Sequence, residues 1–160
     1  MKPLVVLLVG FLVATMAHKL IKNEYDLALS ARIAIATMFW FTAVGHFAFT
    51  KGMSMMIPPI VPFKTSVIYL TGVFEIVLGI GLLIPRFQVL SGWALIAFLV
   101  LMLPGNVYAA MHHVNFQKGT FDGPGLTYLW FRIPLQLLFI GWTYLSAIKP
   151  LQVGGTTVVH

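Results

Sequence analysis

The chain has 160 residues, of which 59% are hydrophobic and 9% are charged. A soluble domain of this length carries roughly 25% charged residues, so the composition excludes an ordinary water-soluble fold. The formal charge of +6 comes from Lys and Arg residues scattered singly along the chain, without the basic cluster and aromatic platform of a nucleic-acid-binding protein. The absence of cysteine excludes disulfides, thiol catalysis and thiolate-bound metals.

Five apolar segments, separated by short polar stretches, predict membrane-spanning helices. They lie at residues 3–17, 33–49, 66–84, 89–111 and 126–148. The first is short and also fits the apolar core of a signal peptide, but "ATMAHKL" lacks a clean cleavage context, so an uncleaved helix is favoured. The other four are long enough to cross a bilayer core at about 1.5 Å per residue.

Lipid offers no partners to backbone N–H and C=O groups, which restricts the architecture to a helical bundle here. The predicted fold is therefore all-α: an integral membrane four-helix bundle with an additional short N-terminal transmembrane helix. Residues 1–160 are predicted to form a single membrane domain.

The predicted loops distinguish the two ends of this bundle. Two long loops, at residues 50–64 and 112–125, fall on one end, which we call the long-loop side. The other end, the short-loop side, carries Lys19, Lys22, Arg32, Arg86 and Lys149. The positive-inside rule weights charges in short loops more heavily. We therefore predict that the C-terminus is cytoplasmic and that the long loops lie outside.

The stretch "TGVFEIVLGIGLLIP" places Glu75 in the middle of an apolar helix. Gly72, Glu75 and Gly79 are spaced to share one helix face, and the glycines let another helix approach that face closely. Glu75 is therefore predicted to face protein. An isolated acid at the bilayer centre costs about 3 kcal/mol on insertion scales, so a partner is expected, either Arg132 or His46.

Polar residues on the other segments are predicted to lie in the same half of the membrane as Glu75. Counted from the long-loop end at about 1.5 Å per residue, His46, Asn106 and Arg132 lie about 6 to 8 Å deep and Glu75 and Gln136 about 14 Å. This predicts a polar pocket between four helices that opens to the long-loop side. The candidate ligand-binding residues are His46, Glu75, Asn106, Arg132 and Gln136, and the candidates for proton transfer are His46 and Glu75.

Each of these residues also has a purely structural interpretation. A Glu75–Arg132 ion pair would fix helix register, and Arg132 alone would reach toward lipid headgroups. His46 would be a satisfied interface histidine, and Asn106 would cap the backbone loosened by the preceding "LPG". The sequence shows no convincing histidine pair for haem, and we predict no metal site.

Several sequence blocks, spread over residues 32–148, resemble the DoxX-like family of small bacterial membrane proteins. They are "FTAVGHFAF", "MMIPPIVPFK", "YLTGVFEIVLGIGLLIPR", "LPGNVYAAMHHV" and "FDGPGLTYLWFRIPLQ". The resemblance implies a four-helix bundle, with an extra N-terminal helix in some members, in the bacterial cytoplasmic (inner) membrane. Its motif positions carry over to Gly45, His46, Pro59, Pro62, Gly72, Glu75, Asn106, Arg132, Pro134 and Gln136.

The resemblance implies a role in membrane redox processes. The family takes its name from a subunit of an archaeal thiosulfate:quinone oxidoreductase, and other relatives are associated with redox stress or with methylamine dehydrogenase maturation. The implied function is a subunit that holds a quinone or other lipophilic ligand. Because this chain has no evident redox centre, a redox partner protein would have to supply electrons.

Two other functions stay open at this stage. The family more distantly resembles sterol isomerase and sigma-receptor-type membrane proteins, whose intramembrane acids lie in a ligand cavity. This chain would then be a proton-shuttling, isomerase-like enzyme acting on a lipophilic substrate. Alternatively, it is a non-catalytic interaction or transport module whose polar core sets helix register. The sequence does not decide whether the protein is an enzyme.

Overall fold

The computed structural model describes residues 2–149, and most of this part of the chain is helical. The elements, in chain order, are α1 Lys2–Lys22, α2 Leu27–Ala48, α3 Thr50–Ser54, α4 Lys64–Leu83, α5 Gln88–Met111, α6 Thr127–Thr143 and the π-helix Tyr144–Ile148. This confirms the all-α class. Within residues 2–149, the only extended pairing is an isolated bridge between Asn115 and Thr120. The C-terminal tail, predicted above to be cytoplasmic, lies outside the described residues.

Five helical units in residues 2–149 are long and apolar enough to cross a membrane: α1, α2, α4, α5, and α6 together with the π-helix. Their outward faces expose large apolar side chains, including those of Leu12, Val44, Val77, Leu101 and Leu137. By length and composition the fold is therefore compatible with a membrane helical bundle.

The helix α2 is central to the arrangement, because α1 and α4 both pack along it and the C-terminal end of α6 returns to it. The helix α4 packs on α5, and α5 packs on α6. The helices α2, α4, α5 and α6 therefore close into a ring, with α1 outside the ring against α2. The core between them contains Phe39, Leu82 and Leu95, each exposed by 2% or less.

The N-terminal helix is longer than the predicted segment 3–17, because it continues to Lys22. Asn23 ends it in the left-handed conformation, with φ of 54°, and its N–H donates to the Lys19 carbonyl at 3.0 Å. Asn is one of the residues that tolerate this conformation after a helix. Leu7 is fully buried against the bundle, and the ring of Phe11 meets Trp142 edge-on at 5.3 Å.

Hydrogen bonds connect the helices of the ring at the short-loop side. Arg32 on α2 donates to the side-chain carbonyl of Gln88 on α5. The Gln88 amide then donates to the Ala147 carbonyl of the π-helix at 2.7 Å. Trp142 on α6 donates through Nε1 to the Ala31 carbonyl of α2 at 3.0 Å. The three chain segments that meet at this end are therefore held to one another by hydrogen bonds.

The two long loops pack on each other at the opposite end. Gly52 in α3 is buried, and a β-carbon at this position would overlap the backbone carbonyl of Phe116 in the 112–126 loop. The rings of Phe49 and Phe116 also meet edge-on, with centroids 6.1 Å apart. Only glycine at position 52 permits this approach, since the obstacle is backbone and not a mobile side chain.

We predict that Gly52→Ala destabilises the protein, because the added methyl group must displace the 112–126 loop. Overpacking of this kind costs about 1 to 3 kcal/mol, measurable as unfolding free energy by titrating a denaturing detergent into mixed micelles. Gly141→Ala in α6 is the matched control, since a β-carbon there has no atom within 4 Å. The control should be neutral or stabilising by up to about 1 kcal/mol. Equal stability of the two variants would contradict the packing described here.

Candidate functional site

His46 and Glu75 form a buried pair between α2 and α4. The distance from His46 Nε2 to Glu75 Oε2 is 3.6 Å, which is an electrostatic contact beyond hydrogen-bond length. The hydroxyl of Thr42, one turn before His46, donates to the same carboxylate oxygen at 3.0 Å. Both partners of Glu75 therefore come from α2, and its second oxygen, Oε1, is engaged by neither.

The other ring nitrogen of His46 faces oxygen atoms of α4. Its Nδ1 lies 3.2 Å from the Ile68 carbonyl and 2.9 Å from the Thr71 hydroxyl. Since a carbonyl oxygen only accepts, we assign a proton to Nδ1 from these contacts. This assignment leaves Nε2 as the ring nitrogen that faces the Glu75 carboxylate.

Gly72 allows α2 and α4 to approach closely enough for this pair to form. A β-carbon at position 72 would lie 2.9 Å from the β-carbon of His46, closer than real side chains approach. The structure buries Gly72, Glu75 and Gly79 together on one face of α4. That face is turned toward protein, so the glycine spacing and the buried acid belong to a single contact between helices.

Arg132 is not a partner of Glu75. Across residues 2–149, the contacts within 4 Å between basic and acidic side chains are His46–Glu75 and Lys118–Asp122. The reason is the ring order: α4 and α6 are separated by α5 on one side and by α2 on the other. Of the two partners expected for Glu75, the structure supplies His46, and the alternative of a Glu75–Arg132 pair is not formed.

The side chains of Asn106 and Gln136 are buried, and both donate hydrogen bonds to backbone carbonyls. Asn106 donates through Nδ2 to the Met102 carbonyl of its own helix at 3.1 Å, which is close to the capping role considered for it. Gln136 donates through Nε2 to the Leu99 carbonyl of α5, and its Oε1 has no partner within the described part of the chain. Neither residue hydrogen-bonds to His46 or Glu75 there. The five candidate residues thus do not form one connected constellation.

Arg132 instead lines a cavity of about 260 Å³ at the long-loop side. The cavity lies between α5, α6, the 112–126 loop and the start of α1, and we call it the loop-side cavity. Its wall includes Lys2, Asn115, Tyr128 and Leu135 as well as Arg132. His46, Glu75, Asn106 and Gln136 are not among the residues that line it.

Several contacting residues were not among the predicted site residues. Thr42 precedes His46 by one turn, and Thr71 precedes Glu75 by one turn, so both share a face with a predicted residue. That spacing could have identified them. Tyr128 precedes Arg132 by one turn of α6, so the same spacing could have identified it as well. Nothing local in the sequence brings Lys2 or Asn115 to the cavity of Arg132, because that depends on how α1 and the 112–126 loop pack on α6.

We predict that Thr42→Val lowers the unfolding free energy by about 1 to 3 kcal/mol, because Glu75 then loses a buried hydrogen-bond donor. Thr37→Val is the matched control. Both threonines are on α2, and each hydroxyl has a carbonyl of its own helix within reach: Ile33 is 2.8 Å from the Thr37 hydroxyl and Phe39 is 2.9 Å from the Thr42 hydroxyl. Only Thr42 also reaches Glu75, so its single hydroxyl proton is shared between the Phe39 carbonyl and the carboxylate. Detergent titration of both variants measures the difference. Equal losses would show that the Glu75 contact adds nothing.

Comparison with known proteins gives a family but no function. Searches of curated proteins and of solved structures each found no match. The resemblance to DoxX-like proteins therefore stays a prediction. A family model described as Domain of unknown function (DUF8561) matches residues 35–147, which include most of α2, all of α3, α4, α5 and α6, and most of the π-helix. The chain belongs to this DUF8561 family.

Proposed function

We propose that this is an integral membrane protein that holds a quinone, or a comparable lipophilic ligand, in its long-loop half and serves membrane redox processes. The five apolar helical units and their exposed apolar faces support insertion in a bilayer. The proposed location is the bacterial cytoplasmic (inner) membrane, with the C-terminus in the cytoplasm. That orientation places the Lys and Arg residues of the short-loop side in the cytoplasm, as the positive-inside rule favours.

The single observation that carries this proposal is the buried His46–Glu75 pair with its Thr42 hydrogen bond. Ionisable residues inside a membrane bundle mark ligand or proton sites far more often than ordinary packing positions. Reduction of a quinone to a quinol takes up two electrons and two protons. Imidazole and carboxyl groups can each donate a proton to a ligand carbonyl and recover one from water, so His46 and Glu75 together could deliver both protons. A redox partner protein is proposed as the source of the electrons.

The pair keeps some access to its surroundings. The side chains of His46 and Glu75 retain 11% and 7% of their accessible surface, so the bundle does not seal them off from a ligand. Glu75 Oε1, which neither Thr42 nor His46 engages, is the oxygen through which a ligand hydroxyl would bind. Asn106 and Gln136 stay candidates for contacts to the same ligand, since both are buried polar side chains within the bundle.

A second candidate is a non-catalytic interaction or transport module. It is favoured by the way in which Thr42, His46 and Glu75 satisfy one another across the tight α2–α4 contact at Gly72. Buried polar pairs can set helix register without binding a ligand. In that case, the pair would matter for stability alone.

Protein purified in mild detergent should retain a quinone or another single lipophile, detectable by mass spectrometry of the extracted small molecules. In Glu75→Gln, retention should fall by about tenfold, the effect of losing about 1.4 kcal/mol of binding free energy. The matched control is Glu24→Gln, which changes the same residue type at an exposed position between α1 and α2. The control should retain the lipophile like the wild type.

Two outcomes would count against ligand binding. One is bulk phospholipid alone in every sample. The other is unchanged retention in a folded Glu75→Gln protein, shown to be folded by its far-ultraviolet circular dichroism. A loss of unfolding free energy with no change in retained molecules would favour the structural module instead.

A further inference from the structure

The charged side chains that line the loop-side cavity are all cationic. Two cationic side chains, Lys2 from α1 and Arg132 from α6, line it, and no Asp or Glu does. The Nε of Arg132 is buried and has no hydrogen-bond partner within residues 2–149. A buried guanidinium donor without a partner is costly, so this group is positioned to receive an acceptor.

The acidic residue of the 112–126 loop, Asp122, is paired with other residues and not with these cations. Asp122 is exposed in the 112–126 loop and accepts hydrogen bonds from the Thr120 hydroxyl and the Lys118 ammonium. The Thr120 hydroxyl, helped by Lys118, lowers the pKa of Asp122 below its ordinary value, so this carboxylate is ionised and already engaged. The other acids, Glu24, Asp26 and Glu75, lie elsewhere in the sequence and do not line the cavity.

The helix ends at the cavity add to its positive potential. The helices α1 and α6 both begin there, and neither has an acidic residue in its first turn. A helix N-terminus carries a partial positive charge and free N–H groups. The N-termini of α1 and α6 therefore add to the positive potential that Lys2 and Arg132 create in the cavity.

The volume and lining of the cavity suit the polar head group of a ligand whose apolar part extends outside the cavity. Its volume of about 260 Å³ is below the roughly 300 to 1,000 Å³ of pockets that enclose whole ligands. Leu135 forms a buried apolar part of the wall, and Phe131 lines the cavity while remaining exposed on the outer surface of the bundle. An acyl chain leaving the cavity can therefore continue over Phe131 into the bilayer.

We propose that the loop-side cavity is a phosphate-binding site, separate from the His46–Glu75 pair, that takes the head group of an anionic phospholipid through Arg132 and Lys2. Arginine suits this role because its planar guanidinium gives two parallel hydrogen bonds to a phosphate. Tyr128 and Asn115, in the same wall, supply neutral hydrogen-bonding groups to the ester and glycerol oxygens.

Native mass spectrometry from mild detergent tests this proposal with phosphatidylglycerol and phosphatidylcholine of identical acyl chains. The wild type should bind phosphatidylglycerol about tenfold more strongly, a difference of about 1.4 kcal/mol. Arg132→Gln and Lys2→Gln should each reduce that preference several-fold, whereas Arg132→Lys, which keeps the charge but loses the two parallel hydrogen bonds, should retain only part of it. Lys118→Gln is the control, because Lys118 is a cation on the same side that does not line the cavity.

The proposal is overturned if the wild type shows no preference between the two lipids, or if Lys2→Gln and a folded Arg132→Gln both keep it in full. Lys2 is exposed, so its variant decides the question if Arg132→Gln does not fold. Addition of glycerol 1-phosphate identifies the source of the phosphate: displacement of the lipid at equal concentration assigns the site to soluble phosphate esters. Quinone retention is measured separately through Glu75, so either proposal can fail alone.

Discussion

The close contact between α2 and α4 is the constraint on which the rest of the structure depends. Gly72 removes the side chain that would otherwise keep the helices apart, and the space is taken by His46. This contact brings a carboxylate, an imidazole and a hydroxyl together in an apolar bundle, where each alone would be expensive to bury. It also sets α2 as the centre of the fold, with α1 on its outer side and the ring of α4, α5 and α6 on the other.

Ring order then separates two polar regions that differ in charge. The α2–α4 contact holds an acid and a base that compensate each other, buried and nearly closed. The α5–α6 side holds Arg132 without an acid, in a cavity that opens among the long loops. Glu75 contacts His46, and Arg132 contacts no acidic residue within residues 2–149. We therefore propose a different ligand for each region, one that exchanges protons and one that carries negative charge.

The two ends of the bundle also differ in how they are held together. At the short-loop side, Arg32, Gln88 and the Ala147 carbonyl connect α2, α5 and the π-helix through hydrogen bonds. At the long-loop side, the loops pack on each other through Gly52 and Phe116 and leave the loop-side cavity between loop and helices. The cavity therefore lies at the end of the bundle where packed loops, and not hydrogen bonds between helices, make the contacts.

The sequence by itself determined the helical class, the approximate helix positions and the protein-facing side of Glu75, because apolar run length and helical spacing are local properties. It also predicted that His46 could reach Glu75. The tertiary structure decided which of the two expected partners Glu75 meets, since Arg132 and His46 are equally plausible until the order of helices in the ring is known. Tyr128 and Arg132 are one turn apart on α6, but the arrival of Lys2 and Asn115 in the same cavity follows from packing between distant parts of the chain, which no local pattern records.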